Sequence, residues 1–590
     1  YHHLHFLSFY VIYKLKKNKM KIQQKILVSF LVIVLINIIS SFYSYDLDLT
    51  QDKRYTLSKS SKNILNKIDD ILTIKVYLDG DLPTGFQMLN SSINNFLTNC
   101  RKNNSFIEFE FINPNDNNES KRKEIYNQLQ SQGLFPTDLT IKKTNETARK
   151  IIFPGAIMYY KDKREAINLL ENNFSISPQK NINNSIENIE FHIISAISKI
   201  TVNKKENIAF LTGNGELNSN QTFDITSSVN NDNNNLNYYY NVEEFNIKEF
   251  EYDSIKNEPN ISLQLKNLNR YKLLIIAKPT IPFNKLDKFL IDQYIMNGGK
   301  VLFLIDGAIA SLDSLNNKDG YFIATKNNLN LDDQLFKYGI RVNSNLVQDL
   351  RSTEIPVVTG YSNNRPLQEL FKWPYYPLVS SGNTHPISKN IDGIKCNFIS
   401  SIDTLKNNIS KTILLESSKN SRFVQTPSKI SLGIIENPPP IESYNKGKLP
   451  LAVLLSGKFT SVFKDRIIPK TTDIKFKKNS DSTSIIVIAD GDLIANETNK
   501  NGNIYPLGYD KFINYTFEGN KKFIINAIQF LTDNNGLINL RSKNIKLRLL
   551  NNDLITNYRI LIIILNIFLP LILFLILIYS TNKILRVKIN

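Results

Sequence analysis

Residues 271–307 read YKLLIIAKPTIPFNKLDKFLIDQYIMNGGKVLFLIDG. The run 271–277 is short and apolar, and it ends at Lys278-Pro279, where a proline cannot continue a sheet ladder. Residues 284–296 space their apolar side chains at helical intervals until Gly298-Gly299 stops the helix. Residues 301–305 form a second apolar strand, ending at Asp306-Gly307. Strand, helix and strand of these lengths predict a parallel, right-handed crossover.

The chain on either side extends the same pattern. Upstream, 208–212 is a short apolar strand running into Gly213-Asn214-Gly215-Glu216; downstream, 484–489 is another, running into Asp490-Gly491-Asp492, with a closing helix at 521–531. These elements predict an α/β domain over 185–540 with a doubly wound, flavodoxin-like parallel sheet, interrupted by a long insertion at about 332–478. Asn214, Glu216, Asp306, Asp490 and Asp492 fall beyond the carboxyl ends of the expected strands, where open α/β sheets bind ligands. Asp and Gly are also ordinary turn residues, so the sequence leaves site and turn both open.

A first α/β domain is expected over 46–184. Residues 56–68 read as a helix capped by Thr56 or Ser58, 71–78 alternate as a half-buried strand, 86–99 carry helical apolar spacing, and 106–112 alternate again. A hairpin is expected from 151–160 and 164–170 around Lys161-Asp162-Lys163. Residues 185–200 place Ile186, Ile189, Ile193, Ile194, Ile197 and Ile200 on one helix face, expected to join the two domains.

At 590 residues the chain is too long for one core. Its formal charge of +18 suggests nucleic acid until it is located: residues 1–25 contribute +6 and residues 541–590 contribute +7, leaving +5 for the rest. The excess flanks two apolar runs. Residues 26–43 carry no charge, and 560–580 carry none and are interrupted only by Asn566 and Pro570, so each is long enough to cross a membrane. Lysines 14, 16, 17, 19, 21 and 25 precede the first run and Asp46, Asp48 and Asp52 follow it, which predicts a cytoplasmic N-terminus. Two crossings return the C-terminus to the cytoplasm, with a basic linker at 541–559 and the domains outside the inner membrane, in the periplasm. Residues 40–43 offer no small-x-small cleavage site, so an anchor is expected rather than a cleaved signal. Residues 1–19 precede the first methionine, Met20, and are a candidate for upstream read-through.

Several motifs resemble the GldG family of gliding-associated ABC transporter auxiliary, or substrate-binding, proteins of Bacteroidetes. They are DLTQDKRYTLS at 48–58, TIKVYLDGDLPTGF at 73–86, FPGA at 153–156 and INLL at 167–170. Further along come LDDQLFKYG at 331–339, LVQDL at 346–350, FKWPYYPL at 371–378, HPI at 385–387, LPLAVLLSGKFTSVF at 449–463, PLGYD at 506–510 and LINLRSKNIKLRL at 537–549. The resemblance implies that the second domain has the class I glutamine amidotransferase fold. It implies partners too, a GldF-like permease and a GldA-like ATPase, and a non-enzymatic role in a gliding-associated transporter.

The residues themselves point the same way on chemistry. Only Cys100 and Cys396 are present, so at most one intrachain disulfide is possible, and neither has the flanking glycines of a nucleophile turn. Only His192 and His385 lie beyond the first methionine, so a multi-His metal centre is not expected; no cofactor is expected. No GxxxxGK[ST] phosphate loop occurs. Trp373, Tyr375 and Tyr376 form an aromatic, proline-rich cluster that could be a partner surface or could pack on the insertion's own core. Asn566, a polar amide in an apolar helix, is expected to seek a partner helix. The alternative function is an envelope small-ligand receptor or hydrolase using the amidotransferase-like sheet.

Overall fold

The first helix, Lys59–Leu65 (α1), starts at Ser58, whose hydroxyl accepts the Ser61 amide at 3.0 Å. The computed structural model describes residues 56–542, except 116–118, 144–145, 172–176, 202–204, 228–235, 253–257, 364, 381–384, 392, 470–473, 500 and 534–535; it also describes 557–587 and scattered positions elsewhere. The chain divides into two units, Tyr1–Thr56 and Leu57–Asn590. The expected N-terminal basic segment and most of the apolar run at 26–43 lie outside the described residues, as does about two thirds of the basic linker.

In the larger unit, strand Leu72–Val76 (β1) leads through helix Thr84–Asn103 (α2) to strand Ile107–Phe111 (β2), which lies parallel to β1. The sheet is completed by Gly155–Tyr160 (β3), antiparallel to β1, and Lys163–Asn168 (β4), which forms the expected hairpin with β3. Pro154 separates β3 from Glu146–Ile152, which pairs instead with Thr137–Lys143 in a ribbon of its own. One expected strand is therefore two, because proline offers no amide to carry the ladder through.

Helix Pro178–Thr201 (α3) packs on α1, α2 and β4. Its isoleucines 186, 189, 193, 194, 197 and 200 are buried in the core built from Ile74, Val76, Leu89, Ile93 and Leu97. Glu190 of α3 accepts the Ser58 amide at 2.9 Å and the Ser61 hydroxyl at 2.6 Å, fixing the start of α1. The buried face of this helix thus belongs to the first core.

The main sheet has seven strands: Glu206–Thr212 (β5), Tyr240–Asn246 (β6), Leu273–Ala277 (β7), Lys300–Leu304 (β8), Ser410–Glu416 (β9), Pro450–Thr460 (β10) and Asn479–Ile488 (β11). Their order is β9-β10-β11-β8-β7-β5-β6. Strands β6, β5, β7, β8 and β11 run parallel, whereas β10 is antiparallel to β11 and β9 antiparallel to β10. Every residue of β7 is buried, as a strand covered on both faces requires. Helix Ile261–Leu268 (α4) leads into β7 and packs on helix Lys285–Met296 (α5). Helix α5 also covers β8, β10 and β11, while helix Glu518–Thr532 (α6) packs on β7, β8 and β11.

The crossover read from residues 271–307 is present. Asn284 caps α5 by accepting the Leu286 and Asp287 amides at 2.8 and 2.9 Å, and Asp287 accepts the Asn284 amide in return at 3.0 Å. The purely parallel sheet is corrected, because part of the expected insertion belongs to it. Strands β9 and β10 come from within 332–478 and extend the sheet antiparallel. Buried Asp292 of α5 ties the same region to the core. It accepts the Tyr338 hydroxyl at 2.9 Å, the Ser461 hydroxyl at 2.6 Å and the Val462 amide at 3.0 Å.

Among the described residues one helix, Arg559–Val587 (α7), is long and apolar enough to cross a membrane. Its segment Arg559–Ile576 has mean hydropathy 2.8 and none of it is buried. At 1.5 Å per residue α7 exceeds a hydrocarbon core of about 30 Å. The Asn566 side chain donates to its own helix, at the Ile562 carbonyl, 2.9 Å. That bond meets one of the two hydrogens of the side-chain amide.

Candidate functional site

The strand order reverses between β5 and β7. From β5 the chain moves to β6 on one side; from β6 it crosses back to β7 and continues to β8 on the other. Loops leaving the carboxyl ends of β5 and β7 must therefore diverge, which opens a crevice between them. A cleft of about 300 Å³ lies there, lined by Glu216, Lys278, Lys395, Asn397, Asp492 and Glu497 among others.

Each expected site residue has a definite place. Asn214 is fully buried: its carbonyl accepts the Thr280 and Ile281 amides at 3.0 and 2.8 Å, and its side-chain nitrogen lies 3.3 Å from Pro282 O and from Asp287. It braces the end of β5 against the cap of α5, and it does not line the cleft. Glu216 does line it, with one oxygen accepting the Asn214 amide at 2.7 Å. Gly213 and Gly215, at φ +116° and +71°, let the chain turn between these residues.

Asp306, Asp490 and Asp492 come from the ends of β8 and β11 and gather around a residue that the sequence reading missed, Lys278. The Lys278 ammonium pairs with Asp492 and lies 3.8 Å from Asp306. Asp306 accepts the Gly491 amide at 2.6 Å; Asp490 accepts the Asn397 and Asp492 amides, each at 2.8 Å. Lys278 itself has φ +51°, and its Cβ and Cγ lie where a side chain at Gly491 would begin, 2.6 Å away. Only glycine at 491 permits that approach.

Burial, then the neighbouring Asp492 charge, pushes the Asp306 carboxyl up to about 6 against the pull of Lys278. The fully buried Asp490 is likewise raised well above the usual carboxylate range, by burial and then by the Asp492 and Asp306 charges. Burial opposes the Lys278 charge, but Asp492 and Asp306 more than offset it and its pKa is raised. Lys395 was also missed. It is buried, 3.1 Å from Asp510 and 3.7 Å from Glu497, with its backbone held by Asn520 of α6 at 2.9 and 2.8 Å. Both lysines of the cleft are thus neutralised by carboxylates, while Glu216 Oε1 and Asn397 Oδ1 are buried with no hydrogen-bond partner among the described residues. A cleft with spare acceptors and paired cations suits a ligand that brings hydrogen-bond donors.

The aromatic cluster is corrected. Trp373, Tyr375 and Tyr376 are 0, 4 and 7 % exposed. They pack with Phe398, Ile355 and Leu346 in a core formed beside the hairpin Ser352–Ser362/Arg365–Val379. Their apolar area is already used in folding, so they offer no surface to a partner.

Residues 205–527 match the family described as an ABC-type uncharacterized transport system. The chain belongs to that family. The match spans more than half of the chain and contains all seven strands of the main sheet and every residue of the cleft named above. The ABC transport family is thus reached by residues of this chain, while residues 51–159 match a second family, described only as a domain of unknown function. An uncharacterized protein of Borreliella burgdorferi is 25 % identical over 472 residues, which is 76 % of this chain and 80 % of the relative. Among solved structures, the mmIFT52 N-terminal domain is similar at 13 % identity, covering 55 % of this chain and 97 % of that one with a TM-score of 0.29.

Proposed function

We propose that the chain is a non-catalytic, membrane-anchored subunit of a gliding-associated ABC transporter of the GldG type. Its folded part lies in the periplasm, and a GldF-like permease and a GldA-like ATPase are its partners. The observation that carries this reading is the bare apolar helix α7, which follows a transport-family domain that has no phosphate loop. A subunit that cannot hydrolyse ATP by that route needs an ATPase partner, and an uncovered apolar helix needs lipid or a permease around it. The cleft between β5 and β7 is its binding site, and the ligand is one rich in hydrogen-bond donors.

The thiols support a non-catalytic role. Burial raises Cys100 and Cys396 far above the range in which a thiolate forms, so neither is a ready nucleophile. The test is purification of the intact protein from its native membrane under mild detergent. A permease and an ATPase of the ABC class are expected with it; recovery of the chain alone, with both present in the membrane, would sink the reading.

One observation favours a hydrolase instead. A carboxyl held near 6, as Asp306 is, can both give and take a proton near neutral pH. On that reading Asp306→Asn abolishes function without loss of protein, and on the favoured reading function survives.

A further inference from the structure

A second cavity, of about 280 Å³, lies between α3 and β4 of the first core and α6 of the second. Its charges divide into closed pairs and an open group. Lys199 is bonded to Glu165 at 2.8 Å, and Lys389 lies 3.5 Å from Glu187; each pair cancels. The open group is His192, Lys522 and Arg541 around one carboxylate, Glu171.

The Glu171 oxygen accepts from Asn188 at 2.7 Å and lies 3.4 Å from His192 Nε2. Lys522 and Arg541 form no ion pair within 4 Å among the described residues. The direct contacts of the Arg541 guanidinium are neutral: Nη1 donates to Asn526 at 2.6 Å, its central carbon lies 4.1 Å from the Phe191 ring centre, and Nε is buried with no hydrogen-bond partner among the described residues, while Glu171 acts on it through space. Counting Lys522, Arg541 and Glu171, the group carries +1 before His192 is protonated.

The field inside the cavity has the same sign. Burial alone would raise the Glu171 carboxyl, yet His192, Lys522 and Arg541 hold it down at about 2. A guanidinium taken from water with no carboxylate bonded to it directly is costly, and its fork matches a planar oxyanion. Phe191 and Tyr239 also line the cavity.

We infer that this cavity binds a small oxyanion, a carboxylate or a phosphate, through Arg541, Lys522 and His192. The ligand joins α3 of the first core to α6 of the second and to Arg541, the residue from which the chain continues toward α7. The site is separate from the cleft at the strand ends and does not depend on the function proposed above.

The test is titration of the intact protein in detergent with inorganic phosphate and, separately, with citrate, read by calorimetry. Saturable binding of at least one is expected, weakened at least about fivefold in Lys522→Gln and in Arg541→Gln. Lys522→Gln keeps the test open should Arg541→Gln fail to fold. Absence of saturable binding, or equal binding by wild type and Lys522→Gln, overturns the inference. Repeating the titration in nanodiscs with and without an anionic phospholipid separates the two sources of oxyanion: competition marks a lipid headgroup, and its absence marks a soluble ligand.

Discussion

Replacing Asp306 by Asn should make the protein more stable at neutral pH, and by an amount that depends on pH. In the folded chain this carboxyl titrates near 6, against 3.8 in the unfolded chain, because it is buried beside Asp492. The folded state therefore holds the proton more tightly. The associated stabilisation is complete below the unfolded value and is lost as pH rises through the folded one. A shift from 3.8 to 6 corresponds to about 3 kcal/mol at most. Linkage places about 1 kcal/mol of that loss below pH 4.5 and nearly all of it below pH 7.5. Asn has the shape of the protonated acid, and its side-chain carbonyl can still accept the Gly491 amide. The variant should thus exceed wild type by about 1 kcal/mol at pH 4.5 and about 3 kcal/mol at pH 7.5. Relief of Asp490 adds to the gain, since Asp306 is among the charges that raise it. Urea titrations at the two pH values, followed through Trp373, measure the difference; the chain has one tryptophan and it is fully buried. A difference that does not change with pH, or a variant less stable than wild type at pH 7.5, would refute the argument from burial.

Three other outcomes follow from named contacts. Gly491→Ala puts a Cβ 2.6 Å from the Lys278 side chain, and the overpacking should cost about 1–3 kcal/mol, read as a lower urea midpoint. An unchanged midpoint would mean that the ends of β7 and β11 separate freely. Asp292→Ala leaves the Tyr338 and Ser461 hydroxyls and the Val462 amide without their acceptor, a loss of about 3 kcal/mol that Asp292→Asn should only partly repair. Two variants of equal stability would contradict it. Cys100 and Cys396 are free and buried, so a thiol reagent should label neither in the native protein and both after denaturation; fast native labelling would oppose the packing described.

The crossover could be read from residues 271–307 because every local signal there agrees with the tertiary structure. The strands are apolar throughout, Asn284 and Asp287 spell a capping box, and Gly298, at φ +94°, ends the helix. The antiparallel edge could not be read in this way. Strand β10 is as apolar as a parallel strand, and nothing in its side chains records its direction, which shows only in its antiparallel pairing with β9 and β11. A similar ambiguity governs α3. One apolar face announces a buried helix, but the face alone does not say which of two cores it enters. Aromatic residues at 373–376 read alike whether they cover a surface or fill an interior, and here the hairpin turns them inward.

The strand ends show why an acidic site can be half legible. Asp306, Asp490 and Asp492 follow apolar runs, so topology alone brings them to one edge of the sheet. Lys278 follows such a run as well, but in the sequence it reads as the start of a turn before Pro279. Its role depends on a left-handed backbone, φ +51°, and on a bare Gly491 two hundred residues away. Neither leaves a trace in local pattern. The result is three carboxylates facing one ammonium, with Asp306 and Asp490 both raised by burial, an arrangement that lowers stability at neutral pH. Local cost of this kind, at the ends of strands whose apolar side chains are buried, accords with the binding site proposed for this cleft. The mouth of the cleft repeats the pattern, since Glu216 and Asn397 keep buried acceptors that no group among the described residues fills. A donor-bearing ligand would satisfy those acceptors and lower the cost in the same step.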